Sequence, residues 1–215
     1  TDPRVQRVAL CWGSQTSKTT TFYIMLGYTI DRRPRPILWV FPNEALCKAF
    51  AGDRWLPFCR ESKVLLPHIP RYGDGSLNVD LFTLKKQEFT NCTMNLVGAG
   101  SSANIRSYPV SVLVLDEIDV IPEQTRRECL DRIKGRADFK VLQSSTPVDE
   151  YGGIWQVFNE GDRRRFYMPC PHCKQKITFK LKNDAGEMLL KWDEEARTDD
   201  GWSLPSVGDS AFYEC

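Results

Sequence analysis

A lysine and a threonine at the start of a predicted helix could bind phosphate. Lys18 and Thr19 end the polar segment GSQTSKT, which directly follows the apolar run RVALCW. In a phosphate-binding loop, backbone N–H groups face the phosphates, the lysine reaches the β- and γ-phosphates, and the hydroxyl binds Mg²⁺. The segment therefore predicts a nucleotide-binding loop made of Gly13, Ser14, Gln15, Thr16, Ser17, Lys18 and Thr19.

This loop departs from the common pattern G-x-x-x-x-G-K-[ST] at both glycine positions. Trp12 occupies the first position, with Gly13 beside it, and Ser17 occupies the second. Glycine is preferred there because it adopts positive φ and lets the backbone approach the phosphates closely. Alone, the segment leaves two interpretations open, a variant phosphate loop or a chance Lys-Thr pair in a polar turn.

Two adjacent acids end the apolar run VSVLVL, which is typical of a strand buried on both faces of a parallel sheet. The carboxyl end of such a strand lies at the crevice where open α/β sheets bind ligands. We expect Asp116 to hold Mg²⁺ with Thr19, and Glu117 to orient and polarise the attacking water. Successive strand residues point to opposite faces, so the two carboxylates are expected to differ in role. The alternative is a solvated acidic turn. Asp119 is predicted to be a helix cap or structural carboxylate rather than a catalytic one.

Two further segments carry candidate polar contacts. Ser145 and Thr146, at the end of KVLQSSTP, could sense the γ-phosphate as Ser/Thr pairs do in nucleic-acid motors, or could form a simple turn before a proline. Arg106, in GSSANIRSYPV, is a candidate contact to phosphate or DNA, or an exposed structural arginine. Arg106 and the cluster Arg163–Arg165 are equal candidates for an arginine that completes a neighbouring subunit's site.

The cysteines divide into a C-P-H-C pair and scattered single residues. Cys170 and Cys173 form a C-x₂-C knuckle, which is half of a tetrahedral zinc site. We expect Cys215 and a cysteine beyond it to complete the site, although the gap exceeds the usual ribbon loop of about 15–20 residues. His172 is a weaker alternative ligand. The other cysteines are predicted to be small buried hydrophobes: Cys11, Cys47, Cys59, Cys92 and Cys129.

Strand and helix patterns alternate along most of the chain. RVALCW, RPILWVFP, VSVLVLDE and KVLQSSTP are predicted strands, and LFTLKKQEF with CTMNLVGAG a hairpin. KTTTFYIMLGYTI, NEALCKAFAGDRWLPFCRES and PEQTRRECLDRIKGR are predicted helices, the second capped by Asn43. Its apolar face is expected to contain Ala45, Leu46, Ala49 and Phe50. The succession predicts an open, mainly parallel α/β sheet flanked by helices over residues 1–161. Residues 162–215 change in composition and predict a small β-rich module.

Composition excludes several classes of protein. The 215 residues are 41% hydrophobic and 27% charged, which is typical of a soluble globular chain. No apolar run approaches the length of a membrane span, and no secretory leader is visible. The net charge of +1 gives no global bias toward nucleic acid, although a local basic patch remains compatible with it.

The order of these motifs resembles the large terminase subunit of tailed bacteriophages, in the lambda-like (GpA-type) family. The resemblance covers nearly the whole chain, from GSQTSKT through SVLVLDEID and QSSTP to MPCPHC. It implies a P-loop ATPase fold of the additional-strand, catalytic-glutamate (ASCE) type over roughly residues 1–160. It assigns Lys18 and Thr19 to the phosphate loop, Asp116 and Glu117 to the metal and water roles, and Ser145 and Thr146 to the coupling motif.

The resemblance also implies an activity and its context. Members of the family are motors that couple ATP hydrolysis to translocation of double-stranded DNA into a procapsid. The implied cofactors are ATP and Mg²⁺, with Zn²⁺ in the intact protein. The implied partners are DNA, the portal of the procapsid, the small terminase subunit and further copies in a ring. The expected location is the cytoplasm of the infected host, with no secretion and no membrane contact.

The resemblance further implies that this chain is a piece of a longer protein. The adenine-contacting segment is expected before Thr1, and an endonuclease domain after Cys215. Residues 162–215 would then be an incomplete zinc ribbon or a linker toward that nuclease. Two other interpretations remain, a helicase-like nucleic-acid-dependent ATPase and a non-catalytic zinc-knuckle binding module. The single core domain disfavours the first, and Mg²⁺-dependent ATP turnover would exclude the second.

Overall fold

The computed structural model describes residues 2, 4–78, 80–100, 102–183 and 185–215. The chain divides into two compact units, Thr1–Asp162 and Arg163–Cys215. Within the described part of the chain, no helix combines the length and the apolar character that crossing a membrane requires.

A six-stranded sheet forms the centre of the first unit. Its strands follow the order β1-β6-β5-β2-β4-β3, and neighbours pair in parallel except for β3 and β4. The strand β6 thus lies between the strand before the phosphate loop and the strand that ends in the two acids. This confirms the predicted fold class. The strand bounds are β1 Arg7–Cys11, β2 Ile37–Phe41, β3 Lys86–Glu88, β4 Thr93–Gly98, β5 Val112–Asp116 and β6 Lys140–Ser145.

Helices connect these strands. A π-helical turn at Ala51–Trp55 joins α2 to α3, and a 3₁₀ turn lies at Leu66–His68. The helix bounds are α1 Lys18–Arg32, α2 Glu44–Phe50, α3 Leu56–Glu61, α4 Ser102–Ser107, α5 Glu123–Asp131 and α6 Gly153–Glu160.

The central strands are apolar on both faces because helices cover both. In β2, Ile37 and Trp39 belong to one buried cluster, which includes residues of α1, α2 and α3. Leu38 and Val40 belong to a second cluster, which includes residues of α4, α5 and α6. Strand side chains alternate with a period of two, so a strand covered on both sides appears in the sequence as a continuous apolar run.

The predicted apolar face of α2 is wrong in part. Asn43 caps the helix as expected, since its Oδ1 accepts the Leu46 N–H at 2.9 Å. The buried residues are Cys47 and Phe50, whereas Ala45, Leu46 and Ala49 are exposed. Cys47, Phe50 and Ala51 are buried at i, i+3 and i+4, so the core-facing side has helical spacing but is offset from the predicted one.

The second unit is built from short antiparallel pairs. Its strands pair as β7 with β8, β9 with β12 and β10 with β11, and each strand has two residues. The bounds are β7 Met168–Pro169, β8 Lys176–Ile177, β9 Leu190–Lys191, β10 Arg197–Thr198, β11 Gly201–Trp202 and β12 Phe212–Tyr213, with α7 at Leu204–Ser210. The small β-rich C-terminal piece predicted from composition is therefore present.

Candidate active site

The polar segment after β1 folds as a loop that ends at the start of α1. Ser17 precedes the helix with φ of 66°, and Gln15 has φ of 57°. Both angles lie in the left-handed region that glycine adopts without strain. Ser17 therefore follows the backbone path that the common pattern assigns to glycine. The first turn of α1 contains no acidic residue that would compete with an anion for its free N–H groups.

We expect Ser17→Gly to stabilise the chain. The left-handed conformation costs a residue with a Cβ about 1–2 kcal/mol, and the greater freedom of glycine when unfolded offsets part of that cost. The Ser17 side chain makes no capping hydrogen bond that the change would remove. A rise in Tm of about 1–4 °C is expected in thermal unfolding. Ser14→Gly is the matched control, because Ser14 has no positive φ. If Ser17→Gly is no more stable than this control, the prediction of backbone strain at Ser17 is wrong.

The Lys18 side chain is enclosed by the loop and by the end of β6. It is 7% exposed. Its Nζ donates to Gly13 O at 3.0 Å and to Thr146 Oγ1 at 2.8 Å, and it lies 3.7 Å from Glu117 Oε1. Nζ also donates to Trp12 O at 3.4 Å, so Trp12 takes part through its backbone. A backbone contact makes no demand on side-chain type, which accounts for a tryptophan at the first glycine position.

Asp116 is buried at the end of β5 and faces the start of α1. Thr19 Oγ1 donates to Asp116 Oδ2 at 3.4 Å, and Ser144 Oγ donates to Asp116 Oδ1. Burial raises the pKa of Asp116, an effect that the hydrogen bond from Ser144 opposes. A buried carboxylate next to a hydroxyl is a set of hard oxygen donors, which suits Mg²⁺.

Glu117 lies in the same site, on the side of Lys18. Ser145 Oγ donates to Glu117 Oε2 at 3.1 Å, and the Thr146 N–H donates to it at 3.4 Å. The two carboxylates have different partners, although not because of strand alternation. The strand β5 ends at Asp116, and Glu117 has φ of 54°, so the chain turns and brings both carboxylates to one site.

The sequence-predicted loop, acids and hydroxyls therefore meet at the carboxyl ends of β1, β5 and β6. A model of the family described as phage terminase large subunit gpA, ATPase domain, matches residues 1–215. The chain belongs to this family. Family membership confirms the resemblance found in the sequence and establishes the chain as an ATP-hydrolysing domain.

Two terminase large subunits are similar in sequence, and one solved terminase domain is similar in fold. That of Enterobacteria phage P21 is 24% identical over 223 residues, covering 98% of this chain and 32% of that protein. That of Escherichia phage lambda is 25% identical over 200 residues, covering 88% and 29%. The chain thus spans about a third of the length of these curated relatives. The large terminase ATPase domain of Thermus phage P74-26 aligns with a TM-score of 0.57 at 16% identity, covering 81% of this chain and 72% of that one.

In this terminase ATPase domain, Asp119 is a structural carboxylate, one of the two alternatives predicted from the sequence, while the N-cap residue of α6 is Gly152. Asp119 Oδ1 accepts the Ile154 N–H in the first turn of α6 at 2.7 Å. Its own N–H donates to Ser145 Oγ at 3.4 Å. A Cβ on Gly152 would lie 2.6 Å from Asp119 Oδ2, so this approach requires glycine. The Ser145 hydroxyl consequently joins Glu117 to the start of α6.

Arg106 lies apart from the other predicted site residues of the terminase domain. On α4, its Nη2 donates to Glu128 Oε1 of α5 at 2.8 Å, and its side chain is largely exposed. Arg106 lines no part of the cavity beside Asp116 and Glu117.

The cavity beside Asp116 and Glu117 has a volume of about 330 Å³ and was not predicted from the sequence. It is lined by Thr19, Asp116 and Glu117 and by Asp53 and Arg54 of the π turn. Its apolar wall consists of Phe41, Pro42, Leu46, Ala49 and Phe50. Ser144, which binds Asp116, was also missed. Its position in QSST could have indicated this contact, because successive strand residues face opposite sides and Ser144 therefore faces away from Ser145.

The second unit of the terminase chain brings three cysteines together. The Sγ atoms of Cys170, Cys173 and Cys215 all lie within 4.8 Å of one another. The Cys173 and Cys215 sulfurs are 3.7 Å apart. Backbone N–H groups of Cys173 and His172 lower the pKa of Cys170 to about 7. Among the residues described, the His172 ring does not join this cluster.

Proposed function

We propose that this chain is the motor domain of a DNA-packaging terminase, coupling ATP hydrolysis to the movement of double-stranded DNA into a procapsid. Support comes from family membership and from the meeting of a phosphate loop with two carboxylates across β6. The single observation that carries the proposal is the Lys18 ammonium, held 3.7 Å from Glu117 and 2.8 Å from Thr146.

Each side chain receives a role from its position. The loop Gly13–Thr19 would bind the phosphates through its N–H groups, with Lys18 at the β- and γ-phosphates. Thr19 and Asp116 would hold Mg²⁺, which would neutralise charge on the phosphate oxygens. Glu117 would orient the attacking water.

The coupling motif would transmit the state of the γ-phosphate to the rest of the domain. Thr146 Oγ1 accepts from Lys18, and Ser145 Oγ contacts both Glu117 and the Asp119 N–H. A change at the terminal phosphate would thus reach β6 through Thr146 and α6 through Asp119. These contacts support Ser145 and Thr146 as the coupling residues.

The partners follow from the proposed motor. They are double-stranded DNA, the portal of the procapsid, the small terminase subunit and further copies in a ring, in the cytoplasm of the infected host. Arg106 is a candidate for contact with DNA or a neighbour's phosphate, after release from Glu128. The intact protein would also cut DNA in a domain outside this chain.

The proposed function is tested by ATP turnover of the full-length protein with DNA, small subunit and procapsid. We expect turnover to require Mg²⁺, to rise with DNA and procapsid, and to accompany protection of the DNA from added nuclease. ATP turnover that is coupled to separation of the DNA strands and does not require procapsids would favour a helicase-like enzyme. An absence of turnover under every condition would favour a binding module.

We also propose that Cys170, Cys173 and Cys215 hold Zn²⁺, with a fourth ligand from outside this chain. Tetrahedral zinc with Zn–S bonds of about 2.3 Å separates its sulfurs by about 3.8 Å, close to the Cys173–Cys215 distance. A Cys170 pKa near 7 favours the thiolate that zinc requires.

Zinc analysis of the full-length protein tests this site. We expect one zinc per chain in the wild type and its loss in Cys173→Ser, with a lower Tm that added chelator reproduces in the wild type. Cys92→Ser is the control, because Cys92 lies outside the cluster and packs beside the core. A wild-type protein without zinc would eliminate the proposal.

A further inference from the structure

The π turn between α2 and α3 has a local cause in the sequence. Residue 57 is proline, so the N–H that an α-helix would direct to the Asp53 carbonyl is missing. The Leu56 N–H instead donates to Ala51 O, five residues back. Such turns insert one extra residue into a helix and are frequent at functional sites.

The core fixes this turn from its inner side. Trp55 is fully buried, and its Nε1 donates to Gln87 Oε1 at 2.6 Å. Trp55 also contacts the Tyr23 ring of α1, with ring centroids 5.5 Å apart. With Trp55 held in the core, the preceding residue, Arg54, lies on the outer side of the turn and is exposed.

Arg54 lines the cavity that also contains Thr19, Asp116 and Glu117. Within the described ranges it makes no hydrogen bond or ion pair, so its guanidinium is available to a ligand. Tyr23 gives a second indication of its position. Burial raises the pKa of Tyr23 to about 12, and of the charges around it Arg54 lowers that pKa whereas Asp116 raises it. The Arg54 and Asp116 charges therefore both act on the Tyr23 side chain.

Arg54 lines the cavity together with three acidic side chains, Asp53, Asp116 and Glu117, so an anionic group would bind next to its guanidinium. A planar guanidinium with five N–H donors matches the oxygens of a phosphate group. In phosphoryl transfer, negative charge is spread over the three equatorial oxygens of the transferring group. Lys18 and the Thr19–Asp116 metal position would approach this group from the loop. Among the described residues that line the cavity, Arg54 is the one cation.

We propose that Arg54 is a catalytic residue acting within its own subunit, donating to the terminal phosphate of bound ATP. In this step water attacks the terminal phosphorus while the bond to the bridging oxygen breaks. ADP leaves with that electron pair, and the proton of water passes through Glu117 to solvent. Arg54 stabilises the charge on the transferring phosphoryl group. This inference rests on the proposed function.

Arg54→Ala tests the inference in the full-length protein assembled with DNA and procapsid. We expect kcat to fall by about 10²–10³-fold, with ADP affinity unchanged and the KM for ATP within about threefold. Binding of ADP with tetrafluoroaluminate, which mimics the transferring phosphate, should weaken by a similar factor. Arg54→Lys keeps the charge but not the planar donors, so we expect an intermediate loss.

Arg60→Ala is the matched control, because Arg60 is an exposed arginine of α3 outside the cavity. Wild-type kcat and tetrafluoroaluminate affinity in Arg54→Ala would overturn the inference. So would a loss of ADP affinity together with a lower Tm, because that result indicates a structural role. A change in DNA affinity alone would also overturn it. Lys18→Ala distinguishes failure of the Arg54 role from failure of the proposed function. If the wild type turns over ATP and Lys18→Ala does not, an active Arg54→Ala removes only the role of Arg54; a wild type without turnover removes both.

Discussion

Glu117→Gln lowers the turnover number of the assembled motor by about 10²–10⁴-fold, the usual contribution of a general base. The change keeps the size of the side chain, and the amide oxygen still accepts from Ser145 Oγ and the Thr146 N–H. It removes the negative charge that orients and polarises water. ATP affinity therefore stays within about threefold, because binding depends on the loop and the metal position.

Turnover and DNA packaging are measured together with ATP affinity. Glu61→Gln is the control, because Glu61 is an exposed acid of α3 outside the cavity. Packaging at the wild-type rate by Glu117→Gln would show that another acid activates water. Asp119 and Glu123 would then be tested, although Asp119 already accepts from the start of α6.

Lys18→Ala abolishes ATP-dependent activity and weakens ATP binding by at least about 10–10²-fold, which corresponds to losing one charged hydrogen bond of about 1.5–3 kcal/mol. Lys18 is the only basic side chain in the loop, and the loop backbone directs its ammonium into the site. In the nucleotide-free chain the same change removes donors to Gly13 O and Thr146 Oγ1, so we also expect a small decrease in Tm.

Titration calorimetry gives the ATP affinity, and circular dichroism tests the fold of the variant. Lys48→Ala is the control, because Lys48 is an exposed lysine of α2 outside the loop. Unchanged ATP affinity and turnover in Lys18→Ala would return the segment GSQTSKT to its alternative interpretation, a chance Lys-Thr pair in a polar turn.

The sheet was predictable because its central strands are covered on both faces. Such strands appear as uninterrupted apolar runs, and VSVLVL is followed directly by the acids of the site. The loop between β1 and α1 was predictable from Lys18 and Thr19 despite two missing glycines. Backbone position explains why, since Trp12 contributes a carbonyl and Ser17 adopts the angles of a glycine.

Features that depend on a local break in regular structure were not predictable from periodicity. The π turn contains Arg54, which lines the cavity. The positive φ of Glu117 brought it to the same side as Asp116. A pattern with a period of two or 3.6 residues assumes a regular backbone, so it cannot locate a side chain beyond such a break.

The place of β6 between two parallel partners restricts how this domain can diverge. One row across the sheet contains Leu10, Ser144 and Asp116, and the next residue of β6, Ser145, pairs with Cys11. Inserting or deleting one residue within β6 would exchange the two faces of the strand and remove both hydroxyls from their carboxylates at once. Variation in length is therefore confined to the connections outside the strands, whereas variation in side-chain type is tolerated within the loop wherever the backbone alone makes the contact.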